Sequence, residues 1–352
     1  MTDLSILFPL PETSAELGGL IAASDQGASG VVLPTAVFDQ MPQLSFSFND
    51  KPSEYAGLRA VSARLDPCFD IAGQCNPQLR LVFQPIAQGD GEPVAADAAV
   101  HVFYSLSDAE FTGLLGAMTR AQSAEDASGP LTVHPAMARE GLAGPAAQSI
   151  KEAMLVFAGE ERLVRATFMQ LGGQGNVWEF GGFEIAAGTL TPLAIAGGAE
   201  VSQRFENNAF HDLPNFYGAV VPVIPPDDFS VFYESDTAGT MTDDDLRDAY
   251  TSALRTENPT LHSADSVACV QCHTANAAID WADRSTDLEL EAISARFTSD
   301  HDLTQPSTIF ADRTMTVRAF GYQDRVVAVS RRTIFETATV VDATREKYGF
   351  GR

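Results

Sequence analysis

A chain of 352 residues with 45% hydrophobic content has enough material for two folded domains and a full-sized core, so disorder is not its default state. Its formal net charge of −25, from 47 acids against 22 bases, argues against nucleic acid and anionic membranes as partners, since both present phosphates that an acidic coat repels. No run reaches the roughly 18 apolar residues that a membrane-spanning helix needs.

The opening residues Met1 to Leu7 have no basic stretch and too short an apolar one for a secretory signal. Residues 1 to about 100 then read as β-rich. Leu44 to Phe48, Leu79 to Phe83 and Ala99 to Tyr104 alternate apolar and polar residues between Pro, Gly and Asp punctuation, the pattern of half-buried strands. Pro67, Pro77 and Pro85 are expected to hold that ladder to five or six residues. His101 lies in an apolar run and reads as a core histidine. Cys68 and Cys75 close a short loop in which Gly73 permits a tight turn. A disulfide is the natural reading, two free buried cysteines the alternative. Closing so short a loop contributes only about 2.5 kcal/mol, enough to pin a hairpin and not a domain.

Two helices are expected to interrupt the strands. Ser107 and Glu110 form a capping box ahead of a segment through Met118, and Pro145 to Phe157 carries Ile150, Met154 and Leu155 at helical spacing. Strands resume at Leu163 to Met169, Trp178 to Ile185 and Leu190 to Ile195, a spacing that suggests a sandwich or barrel. Trp178 and Phe180, two apart on one strand, read as core, with a binding face as the alternative.

From about residue 236 the pattern turns helical. Thr242 and Asp245 make another capping box, and Asp243 to Asp245 suit the positive end of a helix; the spacing of a calcium loop is absent. Ser263 is expected to cap a helix carrying Cys269-Val270-Gln271-Cys272-His273, Thr286 opens another, and Ile334, Ala338 and Val341 mark one face of a last one.

The Cys269 to His273 pentapeptide carries the chemistry. C-x-x-C-H is the pattern by which a haem is covalently attached. Two cysteines three apart share a helical turn, so both sulfurs reach the vinyl-derived carbons of one porphyrin, and the next residue supplies an imidazole to the iron. A zinc site or a redox dithiol would use the same cysteines. The zinc reading lacks a second half, since Cys68 and Cys75 are differently spaced and about two hundred positions upstream. A dithiol site would follow a strand, whereas Cys269 follows the polar stretch Asn258 to Ser263.

Through these five residues the C-terminal third resembles the c-type cytochromes. The resemblance implies one covalent haem c, Cys269 and Cys272 as thioether anchors and His273 as proximal iron ligand. Three residues compete for the distal position: Met315, placed where a small cytochrome returns a thioether; His301, between Asp300 and Asp302; and His262, seven positions before Cys269. The expected fold is α+β, with a β-rich domain over 1–235, sandwich- or barrel-like with two helices, followed by an all-α cytochrome c-like haem domain over 236–352. A single haem points to electron transfer with an unidentified redox partner, the β-rich region serving for docking or assembly; the alternative is a haem enzyme or small-ligand sensor with an open iron site. Haem attachment occurs outside the cytoplasm, so a periplasmic, surface or secreted location is expected, with a secretory or lipoprotein leader already removed. Net charge divides as −18 for 1–235 and −7 for 236–352, leaving the haem-bearing part the easier to approach.

Overall fold

The computed structural model describes residues 1–71, 74–88, 91–120, 130–172, 177–207, 218–221, 227–233, 235–263, 265–286, 295–301, 303 and 320–349. Its centre is one large antiparallel sheet. Along the sheet run β1 (Ser5–Leu7), β4 (Leu58–Ile71), β5 (Gln74–Gln88), β7 (Ala99–Ser105), β8 (Leu163–Gly172), β9 (Val177–Ala186), β11 (Ser202–Asn207) and β12 (Gly218–Val221), with β6 (Pro93–Ala95) on β5 and β10 (Thr189–Pro192) on β9. Among the described residues this path is open at β1 and β12, so the strands form one open sheet where a sandwich or barrel was expected. Two small ribbons stand apart, β2 (Gln26–Gly27) with β3 (Gly30–Val31), and β13 (Phe320–Gln323) with β14 (Val326–Val329).

Strand alternation gives the sheet two buried faces. On one, Leu65, Leu81, Val100, Val102 and Tyr104 join the largest core cluster with Phe111 and Leu114 of α3 (Asp108–Arg120) and Ile150 and Met154 of α5 (Pro145–Leu155). The short helices α1 (Thr35–Phe38), α2 (Lys51–Gly57) and α4 (Pro135–Glu140) fill in around them. On the other, Met169, Trp178, Phe180 and Phe205 pack against α7 (Asp243–Glu257) and α8 (Cys269–Ser285), near the one-turn α6 (Ser235–Ala238). The last helix, α9 (Arg331–Tyr348), crosses β4 on this second face.

Both expected capping boxes form. Glu110 accepts from the Ser107 amide at 2.8 Å while Ser107 Oγ accepts from the Glu110 amide at 3.3 Å, and Thr242 with Asp245 does the same for α7. Each such cap contributes about 1 kcal/mol. Cys68 and Cys75 are joined by a disulfide with 4.6 Å between their Cα atoms. On α9, Ile334, Ala338 and Val341 are buried as their spacing predicts.

Four further expectations differ. Leu44 to Phe48 is not a strand, because side chains take its backbone groups: Glu54 accepts from the Leu44 and Ser45 amides at 2.9 and 2.7 Å, and Gln43 donates to the Ser45 and Phe48 carbonyls. The prolines do not shorten the ladder; β5 runs through Pro77 and Pro85, because a break in register between Asp66 and Phe69 of β4 opposes the first and the second pairs with Leu58 at the start of β4. Ser263 does not cap α8, which starts six residues later with Ala268 as N-cap. The stretch expected to be all-α contains the β13–β14 hairpin, which packs on the large sheet: Tyr322 donates from its hydroxyl to the Phe8 carbonyl at 2.6 Å and from its amide to Gln84 Oε1 at 2.8 Å. The helix expected at Thr286 falls outside the described residues from position 287.

Candidate haem-attachment site

Cys269 is the first residue of α8, and the helix begins there without a side-chain cap of its own. Its N-terminal amides would be orphaned against the sheet. Gln203 on β11 supplies the missing acceptor: its Oε1 receives the Val270 amide at 2.9 Å, while its Nε2 donates to Gln271 Oε1 at 3.1 Å. Further along, the Thr274 hydroxyl meets the Tyr233 hydroxyl at 2.5 Å and donates to the Val270 carbonyl at 2.7 Å. Asn276 accepts from the Arg331 amide at 2.9 Å, and Arg331 pairs with Asp280 at 2.7 Å, which joins α8 to the start of α9. The C-x-x-C-H pentapeptide therefore sits on a helix held from the sheet and from its neighbour.

Cys269, Cys272 and His273 lie within about the first turn of α8, and each keeps part of its surface open. Both thiols are unpaired. Burial, with Cys272 adding to it, pushes the Cys269 thiol up to about 12, and burial likewise raises Cys272. The His273 ring packs against Phe180 of β9, centroids 5.0 Å apart. Trp178, on the same strand, stacks on Phe205 at 5.8 Å and donates to Asp97 at 3.3 Å. The two aromatics are core, as expected, yet Phe180 also forms the surface on which His273 rests. His101 points from β7 toward α8; burial, then Arg80 and His273, hold its ring well below the usual histidine range, so it is neutral.

Of the three distal candidates, His262 and His301 are among the described residues. His262 lies in the α7–α8 connection with both ring nitrogens engaged, Nε2 with Asp227 at 2.6 Å and Nδ1 with Ser266 at 3.3 Å. His301 pairs through Nε2 with Asp342 of α9 at 2.9 Å. Met315 lies outside the described residues.

Within electrostatic reach of Cys272 lies an ionic cluster that sequence reasoning missed. Glu336 of α9 is bound by Arg64 Nη1 and, at 2.7 Å, by Arg332 Nε, with Arg80 4.0 Å away. Burial alone would raise its carboxyl, but Arg332, Arg64 and Arg80 outweigh that and hold it far below the usual carboxylate range. At the end of α7, Glu257 is 1% exposed, with neither carboxylate oxygen hydrogen-bonded. Burial pushes its carboxyl up to about 7 despite Arg331 at 3.5 Å, because an ion pair without a hydrogen bond does not offset that desolvation. Arg332 and Glu336 are four apart on α9, but Arg64, Arg80 and Glu257 lie more than 70 positions from them, and no spacing announces those partners.

Comparison with known protein families, with curated proteins and with solved structures finds no match.

In their chemistry the donors fit a covalently attached haem: two free thiols on one turn, an imidazole next to them, and an open side to all three. Among the described residues no three His, Cys, Asp or Glu side chains form a metal-binding group. The pocket under α9 has a volume of about 180 Å³, below the roughly 300–1,000 Å³ of cofactor clefts.

Proposed function

We propose that this protein is an extracytoplasmic c-type haem protein that passes single electrons, its haem attached through Cys269 and Cys272 and ligated by His273. The observation that carries the proposal is the pentapeptide at the first turn of α8, with both thiols unpaired and His273 braced by Phe180. A haem held there supplies a one-electron couple. Cys269 and Cys272 would hold the haem through thioether links to its vinyl-derived carbons, on a helix that Gln203 and Asn276 keep in place. Phe180 keeps water from one side of the imidazole and limits its rotation. The Cys68–Cys75 disulfide supports an oxidising compartment. Residues 236–352 form the haem-bearing part, the rest of the chain its docking or assembly module. The partner is a redox protein that approaches the less acidic C-terminal part; nucleic acid is not among its partners. Among the described residues no helix is long and apolar enough to cross a membrane.

The test is a potentiometric titration of protein secreted from a host that attaches haem to C-x-x-C-H sequences. One reversible one-electron transition per chain is expected. A purified protein with no redox-active chromophore under those conditions overturns the proposal.

A further inference from the structure

The pocket between β4, β5 and α9 is lined by three arginines whose commitments are unequal. Arg64 donates from Nε to Ser5 at 3.1 Å, from Nη1 to Glu336 and from Nη2 to the Thr333 carbonyl at 3.2 Å. Arg332 donates to Glu336, to the Thr256 carbonyl and to the His262 carbonyl, each within 2.7 Å. Arg80 differs. Among the described residues its guanidinium donates no hydrogen bond; its only partners are Glu336 at 4.0 Å and the face of Phe103, 5.7 Å from the ring centroid. Its side chain is 19% exposed, and that exposure opens onto the pocket. A partly exposed guanidinium that donates to no protein acceptor is free to make a charge-assisted hydrogen bond to an anion entering the pocket.

Charge selects the acceptor. Arg64, Arg80 and Arg332 face Glu336 and Asp66, while the third acid of the wall, Asp265, is paired to Arg165 at 2.5 Å. One positive charge is left over, which suits a monoanion, whereas a dianion would meet Asp66 and Asp265 without compensation. The rest of the lining includes Phe103, Val340 and Ala343, an apolar surface for an alkyl stem. We propose that this pocket binds a monoanionic carboxylate carried on a short apolar stem, with Arg80 as the guanidinium that receives it. Two sources share that chemistry: a propionate of the attached haem, a form that rests on the function proposed above and on Cys272 lying within electrostatic reach of Arg80 and Arg332, and a free short-chain acid, which does not.

Calorimetric titration of sodium butyrate into haem-free protein, with butyramide as the uncharged control, tests the pocket. Saturable butyrate binding that weakens about tenfold or more in Arg80→Gln and largely survives in Arg80→Lys is expected, since the charge-assisted pair is worth more than one decade. Far-UV circular dichroism of both variants establishes that they fold. In haem-loaded protein, loss of the butyrate site together with a lowered reduction potential in Arg80→Gln assigns the pocket to a propionate. Unchanged butyrate affinity there assigns it to a free acid. A chain that takes up no haem yet binds butyrate through Arg80 refutes the function proposed above and leaves this inference standing. No saturable butyrate binding to the haem-free wild type, or equal binding by Arg80→Gln, overturns it.

Discussion

Replacing Glu336 with Gln removes the counter-charge of the buried arginine cluster while keeping the side chain's shape. In the native arrangement its carboxylate accepts from Arg64 and Arg332, each only 3% exposed. The amide retains one acceptor oxygen, so one of the two hydrogen bonds survives, but both guanidiniums lose their neutralising partner. Breaking a buried ion pair from one side costs about 3–5 kcal/mol, and the surviving bond puts this case near 3. That is a large share of a total stability of roughly 5–15 kcal/mol. Urea unfolding should show a lower midpoint at an unchanged slope. The pH dependence has a definite sign. The folded carboxyl lies far below its unfolded value near 4.5, so its contribution is complete above that pH and fades as pH falls toward the folded value. The gap between wild type and variant is therefore flat from about pH 6 to 8 and closes in acid. A gap under about 1 kcal/mol at pH 7, or one that widens in acid, would refute the reasoning.

Glu257 should behave in the opposite sense: its folded carboxyl is raised to about 7 from 4.5, so its contribution is complete below the unfolded value and is lost as pH rises through 7. Glu257→Gln should match wild type near pH 4 and gain up to about 3 kcal/mol on it by pH 8, and a pH-independent difference in urea unfolding sinks this. Gln203→Ala strips the acceptor from the Val270 amide and should cost about 1–2 kcal/mol, with faster hydrogen exchange at Val270 than at amides of α7; equal protection in both proteins counts against Gln203 as the anchor. For the distal ligand, Met315→Ala should convert low-spin iron to high-spin in the optical spectrum, whereas an unchanged spectrum together with a changed one in His301→Ala or His262→Ala transfers the role to that histidine.

Local signals were legible in the sequence and long-range ones were not. Ser107 with Glu110 and Thr242 with Asp245 announce helix starts because both halves of a capping box lie within four residues. The strand at Ala99 to Ser105 was readable from its alternation, and Ile334, Ala338 and Val341 from their helical spacing. Leu44 to Phe48 has the same alternation but loses its ladder to Glu54 and Gln43, a competition that period alone does not reveal. The β13–β14 hairpin was missed because Phe320 to Val329 is short and its stability comes from Gln84 and Phe8, over 230 positions away. At the candidate site the sequence supplies the donors and the structure supplies their setting. Gln203 under α8, Phe180 against His273 and Arg64 against the Arg332–Glu336 pair of α9 meet only where helices pack on the sheet.

The covalent bond between haem and Cys269 and Cys272 is the central claim, and extraction with acidified organic solvent tests it most directly. After secretion in a haem-attaching host, the wild type should keep its haem absorbance with the protein pellet, and the Cys269→Ala, Cys272→Ala double variant should release whatever haem it holds into the organic phase. Haem that leaves the wild type in the same extraction, or one zinc ion per chain with no haem, contradicts the account.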